Sequence, residues 1–237
     1  KNIGLEISMV KDAFGWSSNL SILDNNIVND GGAIKFTNAR NFFIERNNIE
    51  QRALLEGGHA VLIEQLSADA QALTSTIPVI SKNKIENSAP ASRAGGIKIK
   101  NGRNIDVVNN YISASPILSG TTIAGSVDDV TLENCENVRV KRNELYISRG
   151  CVGVRVNNLS KDCVVKQNSR HYFNKSEATD YIDNGIGTVG IPRALTSSNF
   201  DNFSTGNVTM FVYKDEDGYV TLSFSLKPKT GRTNGDY

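Results

Sequence analysis

The chain has 237 residues, with Lys+Arg 26 against Asp+Glu 25 and a net charge of +1. That length buries a sizeable core in one elongated domain, or in one domain with a small companion. The charge balance gives no reason to expect nucleic acid or a membrane as partner, and no apolar run approaches the ~20 residues of a membrane helix.

The chain begins at Lys1 inside sequence that already reads as strand and turn, without a signal peptide. It reads as a fragment or mature piece of something longer. Three cysteines, Cys135, Cys151 and Cys163, are too few and too oddly numbered for a disulfide framework. They are expected as small buried apolar side chains. The two histidines, His59 and His171, lie far from any paired cysteines, so neither a metal nor another cofactor is expected.

One pattern then recurs along the chain: Asn or Asp, apolar, any, apolar, any, any, Asn. It spans 19–25, 41–47, 104–110, 137–143 and 162–168, and 77–83 keeps its closing half. In most copies an apolar residue follows two positions later, at Ile27, Ile49, Ile85, Ile112 and Leu145. Upstream stands a second alternating pair, Ile34/Phe36, Ile97/Ile99 or Val130/Leu132, seven and five residues before the opening Asn. Val154/Val156 repeats it with one residue inserted. Period-two alternation predicts strands with the apolar members facing inward.

The closing asparagines, Asn25, Asn47, Asn83, Asn110, Asn143 and Asn168, are 22, 36, 27, 33 and 25 residues apart. A short minimal period with variable insertions predicts coils of a solenoid, each with two or three short strands and parallel pairing from coil to coil. Right-handed crossovers are favoured. Stacked Asn side chains are expected to hydrogen-bond as a ladder, pairing turn groups that burial would otherwise orphan. The stretch Ala53–Ser75 interrupts the repeat. Val61 and Ile63 read as strand, and Glu64–Leu73 as a short helical turn or a loop excursion.

After Phe173 the grammar changes. Residues 174–198 read as a linker or crossing segment. Asn207–Lys214 and Gly218–Lys227 alternate around Asp215-Glu216-Asp217-Gly218, an antiparallel hairpin signal. The tail after Pro228 has no closing strand, as in a truncated region. The organisation expected is therefore a solenoid over 1–173, a linker over 174–198 and an antiparallel β region over 199–237.

These coils resemble the right-handed parallel β-helix of the pectin-lyase-like class, over roughly residues 17–170. The resemblance implies an all-β fold, a right-handed parallel β-helix solenoid followed by a small antiparallel C-terminal region. That succession resembles bacteriophage tailspike and tail-fibre proteins. It implies a homotrimer on a virion tail, extracellular in action, that binds and usually cleaves bacterial surface polysaccharide such as capsule or O-antigen. Two alternatives stay open: a non-catalytic trimeric shaft or adhesion fragment, and a secreted pectinase-like hydrolase or lyase. The polygalacturonase motifs fit less well. Gly57-Gly58-His59 lacks a second flanking Gly, and no Asn-Thr-Asp precedes Asp128-Asp129.

The alternation also assigns outward residues. One row on the first strand of each coil reads Lys35, Leu62, Lys98, Thr131 and Arg155. The next reads Thr37, Glu64, Lys100, Glu133 and Asn157. Stacked Lys35, Lys98, Lys100 and Arg155 predict attraction of an acidic glycan; the same rows also read as a solvated face whose charges blunt aggregation. Glycosidic cleavage needs two carboxyl groups. Glu64 and Glu133, two coils apart, are the candidate catalytic pair, with Asp128/Asp129 in the turn before Val130 as the alternative. A lyase would instead need a base, for which His59 is the candidate. Trp16 suits stacking on a sugar ring, or capping the open end of the solenoid.

Overall fold

In the computed structural model the alternating runs fold as short strands, three to each turn of the chain. The structure describes residues 4–8, 20–29, 32–51, 58–66, 77–87, 95–113, 128–147, 151–157, 159–172, 179–190, 193–195, 208–214 and 220–226. The first coil carries β1 (Leu5–Ser8), β2 (Leu20–Leu23) and β3 (Asn26–Asn29). The second carries β4 (Ile34–Thr37), β5 (Phe42–Glu45) and β6 (Asn48–Gln51), and the third β7 (His59–Glu64), β8 (Val79–Ser81) and β9 (Lys84–Asn87). The fourth has β10 (Gly95–Lys100), β11 (Asp106–Val108) and β12 (Tyr111–Ser113). The fifth has β13 (Asp128–Glu133), β14 (Arg139–Lys141) and β15 (Glu144–Ile147). The sixth has β16 (Val152–Val156), β17 (Val164–Lys166) and β18 (Ser169–Tyr172), and β19 (Thr179–Asp183) starts a seventh.

Equivalent strands of successive coils pair in parallel. Sheet 1 runs β1-β4-β7-β10-β13-β16-β19, sheet 2 runs from β2 to β17, and sheet 3 from β3 to β18. The fold is a parallel β-helix, all-β, with no helix among the described residues. The stretch expected as a linker from 174 on includes β19, which pairs with β16 through Val154↔Tyr181 and Arg155↔Ile182. Its Tyr181 and Ile182 continue the strand alternation without the usual Val or Ile in the inward place, so the sequence pattern fades before the pairing does. Chain contacts divide the protein into Lys1–Thr188 and Val189–Tyr237. In the second unit β20 (Arg193–Leu195), β21 (Val208–Lys214) and β22 (Val220–Leu226) form an antiparallel sheet; β21 and β22 are the expected hairpin, and β20 adds a strand to it.

The core is a stack of identical rows. Ile34, Val61, Ile97, Val130 and Val154 are buried in one column, and Phe36, Ile63, Ile99, Leu132 and Val156 in the next. Ile44, Ile80, Val107, Val140 and Val165 fill sheet 2, and Ile49, Ile85, Ile112 and Leu145 fill sheet 3. Burying each such side chain contributes about 1.5–3 kcal/mol. Cys135, Cys151 and Cys163 are buried in this core and form no disulfide. Burial pushes the Cys163 thiol up to about 11, which keeps it protonated and inert.

Sheets 2 and 3 meet at a two-residue turn in every coil. Its first residue, Asp24, Arg46, Lys82, Asn109, Arg142 or Gln167, has a φ between 54° and 58°. This left-handed backbone costs a non-Gly residue about 1–2 kcal/mol. The second residue offsets the cost, because it is always the closing Asn. Asn47 Nδ2 donates to Asn83 Oδ1 (3.0 Å), Asn83 Nδ2 to Asn110 Oδ1 (2.9 Å), Asn110 Nδ2 to Asn143 Oδ1 (3.0 Å) and Asn143 Nδ2 to Asn168 Oδ1 (3.0 Å). Each Oδ1 also accepts the backbone N–H of the Asn one coil earlier, as Asn110 Oδ1 does from Asn83 at 3.0 Å. The ladder thus satisfies main-chain donors that a sharp bend between strands would leave unpaired.

Candidate functional site

Sheet 1 is seven strands wide, and its outward side chains come from successive coils in strict register. Lys35 pairs with Leu62, Leu62 with Lys98, Lys98 with Thr131 and Thr131 with Arg155. Thr37 pairs with Glu64, Glu64 with Lys100 and Lys100 with Glu133. Lys100 therefore stands between the two carboxylates. Two strand steps of ~4.8 Å separate Glu64 from Glu133, about 9.6 Å along the helix axis. Asn157 closes the row through its N–H, which donates to the Leu132 carbonyl at 2.9 Å.

The charges on this face are matched rather than free. Lys98 Nζ reaches Glu133 Oε2 at 2.8 Å and Lys100 Nζ reaches Oε1 at 3.7 Å. The Lys98 ammonium holds the Glu133 carboxyl below the usual glutamate range, against partial burial, which works the other way. Lys35 pairs with Glu6 at 3.0 Å. Arg155 grips Asp128 with two bonds, Nε to Oδ2 at 2.7 Å and Nη2 to Oδ1 at 3.2 Å, and the Thr131 hydroxyl donates to the same Oδ2 at 2.9 Å. Lys35, Lys98, Lys100 and Arg155 are thus each within reach of Glu6, Glu133 or Asp128. The expectation of a basic face is corrected: these side chains form a charge-paired track, because residues of opposite sign meet across adjacent strands, Lys35 with Glu6 and Lys100 with Glu133 in register, Lys98 with Glu133 and Arg155 with Asp128 on diagonals.

Asp128 and Asp129 are not in a turn before the strand. They are the first two residues of β13 and are 6% and 0% exposed. The cause is a shift in the alternation where the strand begins. A Cβ on Gly96, at the place in β10 that Asp129 has in β13, would sit 2.5 Å from Ile112 Cγ2. One on Gly153 would meet Ile147 Cδ1 at 2.8 Å. That place faces the core, so the residue before it, Asp128, is turned outward to Arg155. His59 begins β7. Its imidazole lies over Gly95, where an added Cβ would be 2.7 Å from His59 Cδ2 and 2.8 Å from the Asp128 carbonyl oxygen. Gly95 thus opens the space that His59 occupies. His59 and Asp128 flank Gly95 from the coils before and after it.

The structure brings together Glu64, Glu133, Lys98, Lys100 and Arg155, with Lys35 further along the same row. Trp16 lies outside the described residues. So does most of the excursion after β7, of which Glu64 is the final strand residue. Asp128 as the partner of Arg155 was not expected. The acid before a Val-Thr-Leu strand carries no signal of its own until the strand start is known. Among the described residues, no group of three or more His, Cys, Asp or Glu side chains is placed to hold a metal ion.

No protein-family model matches the sequence, and no curated protein matches it. Two solved structures are similar in fold. One is a crystal structure of a mutant of the periplasmic alginate epimerase AlgG, at 14% identity and a TM-score of 0.47, covering 79% of this chain and 42% of that one. The other is AlgG itself, at 14% identity and a TM-score of 0.43, covering 72% of this chain and 39% of that one. The chain thus spans about two fifths of the length of each.

Proposed function

We propose that this protein binds a bacterial surface polysaccharide along the outer face of sheet 1 and cleaves it there, with Glu64 and Glu133 as the acting carboxylates. The observation that carries the reading is the register Glu64–Lys100–Glu133. It sets two carboxylates about 9.6 Å apart by strand spacing, close to the ~6.5–9.5 Å of inverting glycosidases, where a water fits between sugar and base. Glu133, held ionised by Lys98, takes a proton from that water as its oxygen attacks the anomeric carbon. Glu64 gives its proton to the departing glycosidic oxygen. Lys35, Lys98, Lys100 and Arg155 line the track. With their charges matched, they hold a sugar chain by hydrogen bonds more than by net attraction.

A second reading has its own support. Glu133, Asp128 and Glu6 are all engaged by cations, as in a face that binds or only stiffens the coil without chemistry. The reading also extends to assembly: a tailspike-type homotrimer on a virion tail, supported by the succession of a β-helix and a small antiparallel sheet.

Incubation with capsular and O-antigen polysaccharides, following chain length and new reducing ends, tests the proposal. One polymer is expected to shorten, and Glu64→Gln and Glu133→Gln to bind it without shortening it. Full activity in both variants removes the site assignment. Unsaturated ends would mark elimination instead, for which His59, at the other end of β7 from Glu64, is the candidate base. A folded protein that shortens nothing leaves the binding or shaft reading. Sedimentation checks the assembly, a trimer being expected and a monomer favouring the secreted pectinase-like alternative.

A further inference from the structure

On the opposite side of the coil, the left-handed turn positions between sheets 2 and 3 form an exposed row: Asp24, Arg46, Lys82, Asn109, Arg142 and Gln167. Long side chains stand at Lys82 and Arg142, and the short Asn109 lies between them. The result is a notch about two coil spacings wide, ~9.6 Å. The cavity there has a volume of about 540 Å³ and is lined by Lys82, Lys84, Asn109, Tyr111, Arg142 and Glu144, over a floor of ladder asparagines. That volume is within the range of small-ligand sites.

The charges of this notch are not matched as those of sheet 1 are. Arg46 in the same row is paired with Asp24 at 2.7 Å, and Lys84 with Glu86 at 2.8 Å. Among the described residues neither Lys82 nor Arg142 has a carboxylate partner; Arg142 Nε donates to Gln167 Oε1 at 3.3 Å. Tyr111 forms a wall. Its ring is held by Tyr146, with centroids 4.5 Å apart, and Tyr146 in turn stacks on His171, also at 4.5 Å. Lys84 Nζ lies 6.0 Å from the Tyr111 centroid. Desolvation by burial raises the Tyr111 hydroxyl's pKa, so it stays a donor. Glu144 adds an acceptor.

Two cations facing a rigid aromatic wall and an acceptor carboxylate suit one kind of ligand. We infer that this notch is a second saccharide site, for an acidic sugar of uronate type. Lys82 and Arg142 take the sugar carboxylate, Tyr111 covers part of the ring, and Glu144 and Asn109 accept from its hydroxyls. A bare anion has no use for Glu144, and a neutral sugar has none for two cations. The site stands independently of any cleavage on sheet 1.

Calorimetric titration of the whole chain with trigalacturonate, maltotriose and inorganic phosphate tests this. Trigalacturonate is expected to bind at least tenfold more tightly than the other two, and to weaken as salt rises. The Lys82→Ala/Arg142→Ala double variant should lose about tenfold in affinity with an unchanged unfolding midpoint, since both side chains are exposed. Asn109→Arg is the sharper variant. The row already accommodates Arg46 and Arg142 at the same φ, so the fold tolerates it. It adds a cation yet fills the notch. Loss of binding supports a shaped site, whereas tighter binding reduces the effect to bulk charge and overturns the proposal. Equal binding of maltotriose or phosphate, or loss in Glu64→Gln/Glu133→Gln instead, overturns it as well.

Discussion

Removing one rung from the middle of the asparagine ladder has a calculable cost. In Asn110→Ala, the lost Oδ1 strands the buried N–H of Asn83 (3.0 Å) and one of its side-chain N–H groups (2.9 Å). The lost Nδ2 also leaves the carbonyl of Ile80 (2.8 Å) and one acceptor site on Asn143 (3.0 Å) without its donor. Asn143 Oδ1 keeps the Asn110 main-chain N–H, and Asn83 Nδ2 keeps the Ile44 carbonyl, so those two groups are only part-stranded. One orphaned buried donor, the Asn83 main-chain N–H, and one buried acceptor deprived of its donor, the Ile80 carbonyl, at about 1–3 kcal/mol each give a loss of about 2–6 kcal/mol. That is a large share of the 5–15 kcal/mol typical of a folded domain. The comparison is Asn25→Ala at the exposed end of the same ladder, where water replaces the partners and the loss is about 1 kcal/mol or less. Urea unfolding followed by circular dichroism measures both. Equal losses for the two variants would refute the claim that burial of the rung, rather than its hydrogen-bond count, sets its worth.

Three further outcomes follow from sheet 1 and its edges. Arg155→Met leaves Asp128, only 6% exposed, without its guanidinium and should cost about 3 kcal/mol, whereas Asp128→Asn/Arg155→Met should recover most of it; no recovery in the double variant contradicts the pairing. Gly96→Ala places a methyl 2.5 Å from the Asp129 carbonyl oxygen, a backbone atom that cannot swing aside, so it should destabilise by about 1–3 kcal/mol; a neutral result means the strand start relaxes freely. Glu133 has a lowered pKa, so its contribution is present above the unfolded value near 4.3 and is lost as pH falls through the lower folded value. With the carboxylate 31% exposed, that contribution is below about 1 kcal/mol. The stability gap between wild type and Glu133→Gln should therefore close below about pH 4, and a gap that widens there gives the wrong sign.

What the sequence discloses here is register. Parallel pairing follows from counting back from the closing Asn where no residue is inserted, as for Lys98 beside Thr131, and Arg155 joins the row once the single residue inserted in its coil is allowed for. Partners are less legible where they lie on diagonals. Lys98 reaches Glu133, two residues past its register partner Thr131, and Arg155 reaches back to Asp128, three residues before it. Rotamers decide such contacts, and rotamers leave no mark on the repeat. The turn row was hidden for a different reason. Left-handed positions are read from Gly, yet Arg46, Lys82 and Arg142 occupy them because the following Asn offsets the strain.

Connection lengths divide the molecule into a fixed side and a variable side. Between sheets 2 and 3 every coil spends two residues, from Leu23–Asn26 in the first to Lys166–Ser169 in the sixth. The ladder forbids more, since one extra residue would carry the Asn out of line with its neighbours. The two edges of sheet 1 have no such constraint. Residues 65–78 separate β7 from β8 on one edge, and 114–127 separate β12 from β13 on the other, while other coils cross either edge in as few as four residues. Insertions are tolerated where backbone hydrogen bonding does not fix the length. The longest ones therefore border β7 and β13, the strands that carry Glu64 and Glu133 on either side of the strand with Lys98 and Lys100. A binding site on sheet 1 can change its partner through those connections without disturbing the coil, whereas the notch around Asn109 can change only by substitution of single side chains in a turn of fixed length.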